Sequence, residues 1–63
     1  MSFRWVLHDL QGADLRPTED FDSQEAAEAW MGANWSSLLD EGAESVSLMN
    51  GDDRVYKMGL REG

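Results

Sequence analysis

The apolar residues near the start of the chain recur at every second position. This alternation is typical of a strand with one buried face, and the buried residues are Phe3, Trp5 and Leu7. A three-residue connection that ends at Gly12 follows, and glycine closes such a hairpin turn without steric cost. The sequence therefore predicts a β-hairpin whose second strand ends at Pro17, because proline has no amide hydrogen for a ladder.

The register of this hairpin is predicted from a pairing of Asp9 with Ala13. The pairing sets apolar residues opposite each other on one face and polar residues on the other: Leu7 with Leu15, and His8 with Asp14. Both leucines would then lie on the buried side of the sheet.

A helix follows, and its pattern is the strongest in the chain. Apolar residues at spacings of three and four form one stripe, which consists of Ala27, Trp30, Met31, Trp35, Leu38 and Leu39. Asp22 followed by Glu25 indicates a capping-box variant at the start, and Gly42 indicates the end. Gly32 interrupts the stripe at a cost of about 1 kcal/mol relative to alanine, which predicts a close strand or helix at that point.

Two more strands are predicted after the helix, joined by a turn at residues 50–53. A two-residue turn would pair Val46 with Val55 and send the apolar residues of the last strand to the opposite face. A three-residue loop would pair Val46 with Tyr56 and keep the apolar residues together. We favour the second register, because burial of a whole set of side chains outweighs turn preference.

This order of elements predicts an α+β fold. An antiparallel four-stranded sheet carries one helix packed on one face, in the order β-β-α-β-β, and residues 1–63 form a single small domain. The uncovered face of the sheet is polar apart from two valines, and it consists of Arg4, Val6, His8, Arg16, Ser45, Ser47, Val55 and Lys57. This face is expected to meet water or, weakly, a partner.

The charge distribution narrows the choice of partner. The chain has 13 Asp and Glu residues against 5 Lys and Arg, a formal net charge of −8 at pH 7, and no base within residues 17–53. Direct nucleic-acid binding is disfavoured, since phosphate contacts need clustered Lys and Arg. Asp40 and Glu41 lie at the helix end that favours positive charge. Their expected partners are Arg61, Arg4 or a base of another chain.

The sequence offers little for catalysis or metal binding. It has no cysteine, and His8 is the only histidine. We expect an exposed strand histidine beside a surface carboxylate, no enzyme activity and no cofactor. A single histidine excludes paired-histidine metal sites. Oxygens at residues 50–53 leave a divalent-cation site open, although an EF-hand would need a glutamate where Arg61 stands.

The location of the protein is predicted from what the chain lacks. No run of about 20 apolar residues occurs, as a membrane-spanning helix would need. The residues after Met1 do not have the basic and apolar regions of a signal peptide. We therefore expect no membrane association and a cytoplasmic location.

The tryptophan content, three in 63 residues, is high and is the most informative feature of the composition. Trp5 is expected in the core, together with aromatic residues of the helix. Trp30 and Trp35 are separated by about 140° around the helix, so one of them lies at a margin and is available as an interface anchor. The candidate interface residues are Trp30, Trp35, Glu25, Glu28, Asp40 and Glu41.

Parts of the sequence resemble known proteins. The fragments FRWVLHD, FDSQEAAEAW and RVYKMGL are similar to small acidic proteins of unknown function from actinobacteria. The first half, from Phe3 to Ala29, also resembles the strand-strand-helix unit of YegP-like domains. Those units are basic and often duplicated, whereas this chain is acidic and single. Neither resemblance implies an activity or assigns functional residues.

The expected function is a non-enzymatic protein-protein interaction module that binds itself, as a homodimer, or a basic partner. One alternative is a module that binds a divalent cation or a small ligand near residues 50–53. Another is mimicry of a nucleic acid, in which carboxylates replace phosphates: Glu19, Asp20, Asp22, Glu25 and Glu28.

Overall fold

The computed structural model describes residues 2–60, which form four strands and one helix. The elements are β1 (Phe3–His8), β2 (Asp14–Pro17), α1 (Gln24–Asp40), β3 (Ser45–Asn50) and β4 (Asp53–Gly59). The strands form one sheet in the order β2-β1-β3-β4, and every neighbouring pair is antiparallel. Residues of α1 share the buried core with β1 and β3, so the predicted α+β architecture is confirmed.

The core lies between α1 and one face of the sheet. Its buried apolar residues are Trp5, Leu7, Ala27, Met31, Leu38, Ala43, Val46, Leu48 and Leu60. Trp5 is central, because its indole Nε1 donates a hydrogen bond of 2.9 Å to the Ala27 carbonyl oxygen and so joins β1 to α1. Tyr56 meets the Trp5 ring edge-on, with ring centroids 5.9 Å apart.

The first hairpin has the predicted turn. The Asp9 amide donates to the Ala13 carbonyl oxygen at 2.9 Å. Gly12 has a φ angle of +86°, in the left-handed region that favours glycine. The second strand ends at Pro17 and forms one edge of the sheet, as predicted.

The predicted register of this hairpin is correct at the turn and wrong beyond it. His8 lies opposite Asp14, but a bulge between Leu7 and His8 sets Leu7 opposite Arg16. The bulge adds one residue to β2, so Leu15 does not face Leu7 and is 43% exposed.

The bulge also changes the position of Arg16, which was expected on the uncovered face. Its Nε and Nη2 atoms donate to the two carboxylate oxygens of Glu41 at 2.9 and 3.0 Å, just beyond the end of α1. Glu41 therefore pairs with Arg16 and not with Arg4, which donates to the Gly51 carbonyl oxygen. The other expected partner, Arg61, lies outside the described residues.

The ends of α1 are formed by two different devices. Ser23, and not Asp22, is the N-cap, since its side-chain oxygen accepts a hydrogen bond of 3.1 Å from the Ala26 amide. At the other end Gly42 has a φ angle of +102°, which stops the helix where the sequence predicts.

The second hairpin has neither of the two registers considered. Val46 lies opposite Met58 and Leu48 opposite Tyr56. A bulge at Val55 then shifts the register by one residue, so that Asn50 pairs with Asp53 across a tight turn. The favoured register was two residues out of place, so it assigned these residues to the correct face with the wrong neighbours. Within residues 2–60, no helix has the length and apolar character needed to cross a membrane.

Candidate functional site

An open apolar groove of about 380 Å³ lies between α1 and the edge strand β4. Its lining includes Glu28, Met31, Gly32, Trp35, Tyr56 and Met58. The helical members of this set recur at spacings of three and four, which places them on one side of α1. This volume falls within the range of about 300–1,000 Å³ that is usual for ligand pockets.

Trp35 is the most exposed aromatic residue of this groove, with 47% of its surface accessible. Trp30 takes the other position, half-buried, and its ring packs against Phe21 at a centroid distance of 5.7 Å. The expectation that one of these two tryptophans lies at a margin is met by Trp35. A large indole left half in water is a typical anchor for a partner.

The polar part of the groove is a hydrogen-bonded pair. The Tyr56 hydroxyl donates to Glu28 Oε2 at 2.9 Å, and the side chain of Gln24 donates to the same oxygen at 3.1 Å. The bond from Gln24, followed by that from Tyr56, lowers the pKa of Glu28. Near neutral pH the groove therefore carries a carboxylate anion beside an apolar surface.

The titration of Tyr56 offers a direct test of this geometry. Burial, followed by the hydrogen bond to Glu28, raises the pKa of Tyr56 to about 12 from a usual value of 10.0. Because Tyr56 is the only tyrosine, phenolate absorbance in an alkaline titration reports this group alone. The folded protein should titrate near pH 12, and the urea-unfolded chain near pH 10.0.

The ionisation of Tyr56 makes the stability of the folded protein depend on pH. Below pH 10.0 the Tyr56 contribution is fully present, and it is lost as the pH rises from 10.0 to about 12. Glu28→Gln should bring the folded titration part of the way toward the usual value, because burial remains. Equal midpoints for the folded and unfolded chains would contradict the described environment of Tyr56.

Gly32 faces the groove rather than a neighbouring element. A Cβ atom built at this position has no atom within 4 Å outside the local helix backbone. The prediction that Gly32 makes room for a strand or helix of this chain is therefore wrong for the described residues. The space beside Gly32 belongs to the groove, which the sequence pattern alone did not indicate.

The structure brings together only two of the predicted interface residues, Glu28 and Trp35. Glu25 and Asp40 are exposed but do not line the groove, and Glu41 is bound to Arg16. The lining residues that sequence reasoning did not assign to an interface are Trp5, Met31, Gly32, Leu60 and three residues of β4, namely Tyr56, Met58 and Gly59. The available signal was the spacing of Glu28, Met31, Gly32 and Trp35, which places one acid beside an apolar stripe.

A second arrangement crosses the other face of the sheet. His8 Nδ1 lies 3.0 Å from Asp14 Oδ1, and His8 Nε2 lies 2.7 Å from Ser47 Oγ. His8 is buried, contrary to the expectation of an exposed histidine. A carboxylate only accepts, so Nδ1–H donates to Asp14, and in the neutral imidazole Nε2 accepts from the hydroxyl of Ser47.

This order of carboxylate, imidazole and hydroxyl is the one used by serine hydrolases. Ser47, however, is only 1% exposed, and it lies within β3, one of the two interior strands of the sheet. A nucleophile must reach its substrate, so we assign the network a structural role. Through these side chains it connects three neighbouring strands, in addition to the backbone ladder. Asp14 belongs to β2, His8 to β1 and Ser47 to β3.

Metal binding has little support in the described part of the chain. Within residues 2–60, no group of three or more His, Asp or Glu side chains is placed to hold an ion. The candidate cation loop at residues 50–53 forms a tight turn in which Gly51 has a φ angle of +64°. Ordinary turn chemistry accounts for these residues.

Comparison with known proteins adds no further assignment. No family model matches the chain, and searches of curated proteins and of solved structures give no match. The resemblance to a YegP-like unit and to actinobacterial proteins stays a prediction from the sequence.

Proposed function

We propose that this protein is a non-enzymatic interaction module that binds a basic protein segment in the groove between α1 and β4. The observation that carries the proposal is the exposed indole of Trp35 above an apolar groove, next to the Glu28 carboxylate. Apolar side chains of the partner would enter the groove, and Lys or Arg would pair with the acidic surface of α1.

The charge of α1 favours a basic partner over a second copy of the same surface. The helix carries Glu25, Glu28 and Asp40 and has no Lys or Arg. A symmetric contact between two such helices would bring like charges together, which opposes association. A basic partner gains attraction from the same groups and reaches the site faster at low salt.

Self-association is a second candidate, supported by a different observation. The face of the sheet opposite α1 carries Arg4, Arg54 and Lys57, and its charge complements the acidic helix. Contact between the helix of one copy and the sheet of the next is head-to-tail, so it does not close at a dimer. Sedimentation equilibrium at several concentrations would reveal this as a series of growing species that dissociates in salt.

The leading proposal is tested with a synthetic helical peptide of about 18 residues, long enough to form a helix. In this probe, leucine occupies positions at spacings of three and four, and lysine occupies the remaining positions. The acidic control peptide has glutamate in place of each lysine. Isothermal titration should show binding of the leucine-lysine peptide only, weakened by added salt. Trp35→Ala should weaken binding about 30-fold, the loss typical of an interface anchor.

Two controls isolate the groove. Leu10→Ala removes an exposed apolar side chain from the first hairpin and should leave binding unchanged. Glu28→Gln should weaken binding more than Glu19→Gln, which makes the same change of charge away from the groove. Equal binding of the two peptides, or wild-type affinity in Trp35→Ala, would overturn the proposal.

A further inference from the structure

Gly32 lies in the interior of α1, where glycine is less favourable than alanine. Such a glycine is usually explained by a positive φ angle or by a neighbouring backbone that leaves no room for a side chain. Neither reason applies within the described residues. Gly32 is helical without a positive φ angle, and a Cβ atom would meet nothing.

The space that the missing side chain leaves is part of the groove. Gly32 lies one turn before Trp35 and one turn after Glu28 on the same side of α1. A partner that enters here would contact helix backbone at Gly32, the indole of Trp35 and the Glu28 carboxylate. Small residues at a crossing point allow two backbones to approach closely.

We infer that the partner's element is a cationic amphipathic helix that crosses α1 at Gly32, an inference that rests on the proposed function. The positive charge of the partner helix is inferred from the acids of α1, and its apolar face is inferred from Met31, Trp35 and Met58. The close approach of the two helices is inferred from Gly32.

The alternative form, an extended strand added to β4, is less suited to this edge. Lys57 lies within β4, and a bulge at Val55 interrupts the ladder. Charged side chains and bulges are the features that hinder pairing at sheet edges. A helix uses the groove without needing the hydrogen bonds of β4.

The test adds side chains at Gly32 and measures folding and binding separately. Gly32→Ala should raise the temperature of unfolding, because the methyl group has space and alanine favours the helix. The same variant should bind the leucine-lysine peptide about tenfold more weakly, and Gly32→Leu more than about 100-fold, because each fills the crossing point.

Ala33→Leu is the matched control. It adds a larger side chain at the next position of the same helix, which is exposed and outside the groove lining. This variant should bind as the wild type does. Circular dichroism of every variant confirms that the helix is intact, so a loss of binding is not a loss of fold.

The outcomes separate this inference from the proposed function. If Trp35→Ala weakens binding but Gly32→Leu binds within about twofold of the wild type, the groove binds a partner without a close crossing and the inference fails. If neither variant weakens binding, both fail. If an extended leucine-lysine peptide that contains proline competes equally, the helical form of the partner is excluded, since proline prevents the helix.

Discussion

Replacing Trp5 with alanine is expected to remove a large part of the stability of this protein. Trp5 is fully buried and donates the hydrogen bond that joins β1 to α1. Truncation of a buried tryptophan costs about 3–5 kcal/mol through lost burial and the cavity that remains. At about 0.05–0.15 kcal/mol per residue, the whole chain has only about 3–9 kcal/mol of stability, so between about a third and all of it would be lost.

Urea unfolding followed by circular dichroism measures this loss, and Trp35→Ala is the matched control. The same truncation at the half-exposed Trp35 should change the free energy of unfolding by less than about 1 kcal/mol. Trp5→Phe should be intermediate, because a ring is kept while the hydrogen bond to Ala27 is lost. A Trp5→Ala protein with the wild-type urea midpoint would contradict the central position assigned to this indole.

The tryptophans show which burial positions the periodicity of the sequence can predict and which it cannot. A period of two placed Trp5 on the buried face of β1, and a separation of about 140° placed either Trp30 or Trp35 at a margin. The pattern did not decide between those two. In the structure the ring of Trp30 packs against Phe21, whereas Trp35 lies beside the groove.

The strand registers are a feature that the alternation of apolar and polar residues did not predict. Each hairpin contains one bulge, at Leu7/His8 and at Leu48/Met49. A bulge adds a single residue that alternation does not encode, because residues on both sides of it keep their period. The consequence is large for Arg16, which moves from the uncovered face to a two-bond contact with Glu41.

The side-chain contacts of Tyr56 and His8 could not be predicted from the sequence, for a related reason. Tyr56 and Glu28 are 28 positions apart, and His8 and Ser47 are 39 apart. Their meeting depends on strand order and register, which local sequence does not specify. The sequence did assign His8 and Ser47 to the same face of the sheet, and the structure adds that β1 and β3 are neighbours.

The buried bond between His8 and Ser47 leads to the second large effect, in Ser47→Ala. The substitution removes the only hydrogen-bond partner that His8 Nε2 has in the described structure and leaves a buried ring nitrogen unsatisfied. An unsatisfied buried polar group costs about 1–3 kcal/mol, which is a substantial share of the stability of so small a domain. The urea midpoint should fall accordingly, with the slope of the transition unchanged.

Two controls bracket the Ser47→Ala result. Ser45→Ala removes the same hydroxyl from the same strand at a partly exposed position, with a change of less than about 0.5 kcal/mol. Asp14→Asn should cost no more than about 1 kcal/mol, since the Asp14 side chain is 75% exposed and its pairing with His8 is screened by water.

A double-mutant cycle completes the test. If the His8–Ser47 bond accounts for the loss, His8→Ala and Ser47→Ala together should cost less than the sum of the single changes, because each removes the same bond. Additive losses, or a Ser47→Ala protein as stable as Ser45→Ala, would mean that the bond does not stabilise the sheet. A non-additive result would show that the bond between His8 and Ser47 stabilises the contact between β1 and β3.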